Sequence, residues 1–138
     1  MADGLKTQRK LWPVAVCFAV TLFVSNAWAR PELQISNKTT MKDVLDACGS
    51  TEPAMRAESC ELVFSRLSSV AYDAAGGPTQ DPNHPVCLPN TSNARQTAET
   101  FRVKITAWLP DHPEVQSQLF IGDGSLLAVI GAFACKQN

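Results

Sequence analysis

Apolar side chains recur at three- and four-residue spacing in several stretches of this chain, and the most regular is 59–75, S-C-E-L-V-F-S-R-L-S-S-V-A-Y-D-A-A. Cys60, Val63, Phe64, Leu67, Val70, Ala71 and Ala74 fall on one helical face. Glu58, Glu61, Ser65, Arg66, Ser69 and Asp73 fill the other, and the acidic residues at its start complement the positive end of the helix dipole. Gly76, Gly77 and Pro78 supply a stop, because proline has no amide hydrogen to continue the ladder. A helix of this size cannot bury its stripe alone, so the other segments must supply the surface it packs on.

Three further helical patterns do so. Met41, Val44, Leu45 and Cys48 share one side of a short segment that Thr39 or Thr40 can cap and Gly49 ends. From Ser92 onward, with Asn90, Thr91 or Ser92 as cap, Ala94, Ala98, Phe101, Ile105, Trp108 and Leu109 form an inward stripe. Arg95, Glu99, Arg102 and Lys104 alternate in charge on the rest of that segment. The last pattern starts near Glu114 and buries Val115, Leu119, Leu126, Ile130 and Phe133. Gly122 and Gly124 interrupt it, each costing about 1 kcal/mol inside a helix, so a break is expected, with Asp123 or Ser125 capping the second half. Between the second and third helices, 76–91 carries Pro78, Pro82, Pro85 and Pro89 and cannot be a regular helix. A loop of this length in a small domain is usually functional or disordered, and Cys87 pinning one end favours an ordered, displayed loop. The pattern predicts an all-α fold, a small four-helix domain spanning 40–138, preceded by an extended leader over 30–39.

The first 29 residues read differently. Lys6, Arg9 and Lys10 precede the apolar run 11–24, and S-N-A-W-A follows, which is the three-part layout of a secretory signal peptide with cleavage after Ala29. The run is shorter than the ~20 apolar residues of a membrane span. Cys17 lies inside it, but Val16 occupies the place where a lipoprotein signal needs a small residue. Removing 29 of the 138 residues leaves 109, carrying 9 basic and 12 acidic side chains, which excludes an obviously basic binder of nucleic acid or of an anionic membrane.

Four cysteines remain: Cys48, Cys60, Cys87 and Cys135. An even number in an exported chain points to two disulfides. Cys48 ends the first helix and Cys60 begins the second, so a turn between them brings their sulfurs together. Cys87 precedes the third helix and Cys135 ends the fourth, and an antiparallel hairpin of those helices would join these ends. Cys48–Cys60 and Cys87–Cys135 are therefore the expected pairs. The shorter loop would contribute about 3 kcal/mol and the longer about 4 by closing the unfolded chain.

Catalytic chemistry is hard to find. There is no G-x-S-x-G, H-E-x-x-H or P-loop. The closest cysteines are twelve positions apart, and His84 and His112 each stand beside a proline, so neither a zinc site nor a Cys–His nucleophile is expected. G-D-G-S lacks the further carboxylates of a calcium loop. The expectation is a non-enzymatic protein without metal or cofactor.

Order and spacing carry more. C-E-L-V-F-S-R-L-S-S-V-A-Y-D-A from Cys60 is followed by V-C-L-P-N-T-S-N-A-R-Q from Val86 to Gln96, W-L-P at Trp108, and A-V-I-G-A-F-A-C ending at Cys135. Together with the export signal, this succession over 41–135 resembles the Tai-like immunity proteins. Those proteins protect a bacterium against type VI secretion effectors, especially amidases that cut peptidoglycan peptides. Ser68 and Ser69 stand where that pattern has a glycine, and Ala134 where a proline often precedes the last cysteine, which leaves the subfamily and the effector open.

The resemblance implies stoichiometric inhibition in the periplasm, by a rigid scaffold that presents a loop to the effector's active-site cleft. Asp81, Asn83 and His84 in the proline-rich loop, with Tyr72 and Asp73 at the helix end that leads into it, are the candidate effector-binding residues. Members of the family are often dimers, so the resemblance also admits a homodimer through an exposed edge of the second or third helix. The competing expectation is a periplasmic stress or chaperone-like helical protein with no single partner. With two histidines in the chain, its pH sensing would fall to carboxylates.

Overall fold

The computed structural model describes residues 32–76 and 85–135. Among them the chain forms α1 (Met41–Cys48), α2 (Cys60–Gly76), α3 (Ala94–Trp108), the short α4 (Pro113–Gln116) and α5 (Asp123–Ala132). Single 3-10 turns at Pro53–Met55 and Leu109–Asp111 join α1 to α2 and α3 to α4. The fold is all-α as expected, with the anticipated fourth helix divided in two. No described helix is long and apolar enough to cross a membrane.

Capping explains where α1 and α3 begin. Thr40 accepts from the Asp43 amide and the Asp43 carboxylate accepts from the Thr40 amide, a reciprocal capping box. That interaction holds the Asp43 carboxyl below its usual range, chiefly through the Thr40 backbone amide. The cap of α3 is Asn93, one residue beyond the expected set, because its side chain accepts from the Gln96 amide. Ser92 instead donates through its amide and hydroxyl to the Gln96 side chain.

Both disulfides form in the expected pairing, Cys48 to Cys60 and Cys87 to Cys135. The second is reinforced by an isolated bridge between Val86 and Ala134, in which Cys87 N–H donates to the Phe133 carbonyl and Cys135 N–H to that of Pro85. Two disulfides are consistent with a chain that matures in an oxidising compartment.

The core lies where α2, α3 and α5 meet, and the largest interface is between α2 and α3. Phe64, Phe101 and Phe133 are fully buried there with Leu67, Ile105 and Val129. Phe101 and Phe133 stack with ring centroids 4.2 Å apart, and the Lys104 ammonium stands 4.9 Å from the Phe133 ring centre. Farther along, Trp108 lies against Gly131, so α3 and α5 run antiparallel as the second disulfide requires. The leader is more than a free extension: Leu33 and Ile35 pack on the core, and the Ser59 hydroxyl donates to the Leu33 carbonyl.

The break between α4 and α5 corrects the expected register. Gly122 adopts φ +143°, a conformation that side chains rarely take, and it is the N-cap of α5 without any side-chain cap. Neither Asp123 nor Ser125 fills that role; the Ser125 hydroxyl donates back to the Phe120 carbonyl. Gly124 is needed for a different reason, since a Cβ there would lie 2.5 Å from the Leu119 carbonyl oxygen and 2.8 Å from Met41 Cγ. This close approach lets 118–120 pair with the start of α1, through Met41 N–H to Gln118 O and Phe120 N–H to Thr39 O. The redirected chain buries Phe120, Ala128 and Val129. Leu119 and Leu126, expected inside, are exposed, and Ile130 is half-buried.

Candidate functional site

Where α2 and α3 begin, they leave a cleft of about 590 Å³ against the 3-10 turn Pro53–Met55. The buried Phe64, Ala57 and Ala98 lie at its base, and three arginines, Arg56, Arg95 and Arg102, face three glutamates, Glu58, Glu61 and Glu99, along it. The electrostatic centre is Arg102, which the pattern left off the inward stripe and which is only 7 % exposed. Its Nε and Nη2 donate to the two oxygens of Glu99 at 2.9 and 2.8 Å, a forked pair. Its Nη1 donates to the Cys48 and Ser50 carbonyls at 3.3 and 3.2 Å. α1 has no basic residue in its own last turn, so Arg102 supplies from another helix the cation that the negative end of α1 favours.

Glu99 is thereby saturated. Its Oε2 also accepts from Arg56 Nη1 at 3.0 Å, and Arg102 first, then Arg56, hold its carboxyl below the usual glutamate range. Arg95 is different. It is 85 % exposed, and its nearest carboxylate, Glu61, lies 3.8 Å away, too far for a hydrogen bond.

The residues singled out for effector binding are elsewhere. Tyr72 and Asp73 are exposed near the C-terminal end of α2, about 18 Å along that helix from Cys60, and do not line the cleft. Asp81, Asn83 and His84 lie outside the described residues. His112 does not approach a cysteine: its ring stacks on Trp108 at 3.6 Å and its Nδ1 meets Glu114 at 3.0 Å. That contact adds to the Glu114 backbone amide, the larger cause, in holding the Glu114 carboxyl below its usual range. Trp108, expected in the core, is half-buried between His112 and Gly131. Among the described residues, no three His, Cys, Asp or Glu side chains gather as a metal ion would require.

A second surface is apolar. Leu126 and Leu127 on α5, with Leu119 and Ile121 before it, are all exposed. α5 is apolar on every side, so its sequence periodicity could not say which face turns inward. Comparisons with protein-family models, with curated proteins and with solved structures return no match for this chain.

Proposed function

We propose that this chain is a periplasmic immunity protein that binds a type VI secretion amidase effector and occludes its active site. The observation that carries the reading is the order of its motifs, from Cys60 through V-C-L-P and Gln96 to Cys135, which resembles the Tai-like immunity proteins. Two features support it. Both disulfides join segments of that succession, so a surface built on them is pre-ordered for binding, which lowers the entropy lost on association. Tyr72 and Asp73 are accessible at the end of α2 that leads toward Asp81, Asn83 and His84. No catalytic group is required of the protein itself, because inhibition by occlusion needs shape and hydrogen bonds only.

The decisive experiment is to ask whether a toxic hydrolase is encoded beside this gene and to coexpress that hydrolase, directed to the periplasm, with this protein; absence of such a gene would count against the reading. The protein should prevent lysis, and lysis in its presence would defeat the reading. Alanine at Asp81, Asn83 and His84 together should weaken effector binding and leave the helical circular dichroism intact. Unchanged affinity would remove those residues from the contact.

The exposed Leu119, Ile121, Leu126 and Leu127 favour a second reading, a periplasmic chaperone-like protein that holds unfolded clients. That reading predicts comparable binding to many unfolded chains. The immunity reading predicts one tight partner.

A further inference from the structure

We propose that the outward face of α5 is where two copies of this chain meet, helix against helix in an antiparallel pair. α5 is apolar on every side, and its single charged residue is Asp123 at the first position. A helix of that composition is normally one covered on all sides. Here Gly124, Ser125, Ala128 and Val129 are buried against the rest of the chain, while Asp123, Leu126 and Leu127 are exposed and Ile130 is half-buried. Positions 123, 126, 127 and 130 repeat at the three-and-four spacing of one helical face. Leu119 and Ile121 precede it, and the Gly124 amide, which donates to the Leu119 carbonyl, keeps that turn against the helix start. Half of the eight large apolar side chains exposed among the described residues therefore fall in 119–127. The other four, Met55, Leu62, Tyr72 and Val103, are spread over a 3-10 turn, α2 and α3.

The area fits a second copy. Leu119, Ile121, Leu126 and Leu127 are 45 %, 54 %, 41 % and 43 % exposed, which leaves roughly 300 Å² of apolar surface in water. A standard interface takes about 800 Å² from each partner, a little over half of it apolar, so these four side chains supply about two thirds of the apolar share. An unrelated partner would be selected by charge, of which α5 offers only Asp123, whereas a twofold axis makes an apolar face its own complement. A pair centred on Leu127 sets the two Asp123 positions about 12 Å apart along the axis, beyond the ~8 Å over which exposed charges act at physiological salt. The inference stands on this face alone and is independent of the immunity reading.

The test is sedimentation equilibrium of the oxidised protein from roughly 1 to 500 µM, since an interface of this size is weak and a dissociation constant on the order of 10 µM is expected. That constant should change less than about twofold between roughly 50 and 500 mM sodium chloride. Leu127→Asp, a change at an exposed position, should raise it at least about tenfold with the circular dichroism unchanged. Leu126→Gln, which adds no charge and keeps a good helix former, should raise it in the same direction. Leu62→Asp and Val103→Asp, on the exposed sides of α2 and α3, should leave it unchanged. A monomer throughout the range, association beyond the dimer, a steep salt dependence, a dimer indifferent to both α5 substitutions, a dimer broken by Leu62→Asp or Val103→Asp, or an unfolded chain such as reduced carboxymethylated α-lactalbumin held by the monomer through this face would each overturn the proposal.

Discussion

Replacing Arg102 by methionine isolates what a buried cation contributes to this fold. Methionine keeps much of the apolar stem and removes the guanidinium. Three groups then lose a partner: the Cys48 carbonyl, the Ser50 carbonyl and Glu99. Hydrogen bonds from a charged donor are worth about 1.5 to 3 kcal/mol each, but the two that Nη1 gives the carbonyls are long, at 3.2 to 3.3 Å, so about 1 kcal/mol apiece is the reasonable share. Glu99 keeps Arg56 and is half exposed, so its loss adds at most about 1 kcal/mol. The sum is a destabilisation of about 2 to 3 kcal/mol. In urea unfolding of the oxidised protein followed by circular dichroism, the midpoint should fall by roughly 2 M, taking a slope of about 1.3 kcal/mol per molar for a domain of this size. Lys42→Met is the control, since the exposed Lys42–Asp46 pair is worth only about 0.3 to 0.5 kcal/mol. If Arg102→Met shifts stability by less than about 0.5 kcal/mol, the Cys48 and Ser50 carbonyls are satisfied without it and the argument fails.

Three other outcomes follow from the same structure. Mild dithiothreitol followed by alkylation should label Cys87 and Cys135 before Cys48 and Cys60, because the first pair is reachable from solvent and the second is buried; equal labelling in peptide maps would contradict this. Gly131→Ala places a Cβ 2.1 Å from the Trp108 ring, which must leave its stack on His112, so a loss of about 1 to 3 kcal/mol and a changed tryptophan emission spectrum are expected. Acid should destabilise in one direction only. Glu99 and Asp43 titrate lower in the folded state than in the unfolded chain, so their contribution is complete above pH 4.5 and disappears as pH falls through the folded values. Thermal midpoints between pH 6 and pH 2 check it, and in Glu99→Gln the part of the acid loss due to Glu99 should vanish.

Much of the helical scaffold could be read from local rules. The stripe from Cys60 to Ala74, the Thr40 cap, the glycine break and the placement of Cys48 and Cys60 at helix ends were all legible, because each depends on residues close in sequence or on the ends of elements they define; Cys135 falls three residues past the end of α5 instead of ending it. The cysteine pairing followed from helix order alone, since a turn and a hairpin leave each sulfur one near neighbour.

The sites were less legible. Arg102 was misplaced because alternation of charge along a helix says nothing about a carbonyl pair that another helix brings within reach, 54 and 52 positions away in sequence. α5 could not be oriented, since a segment apolar on every side has no preferred face until Gly122 turns the chain and Gly124 lets Leu119 approach. Trp108 belonged to the inward stripe, yet Gly131 has no side chain to cover it and leaves its ring half in solvent beside His112. The sequence by itself thus determined which segments are helical, where they stop and which cysteines join. The tertiary structure alone decided which charges are buried, which apolar face stays outside and where two helix starts and a 3-10 turn leave a cleft, because these depend on distances between segments that no local pattern encodes.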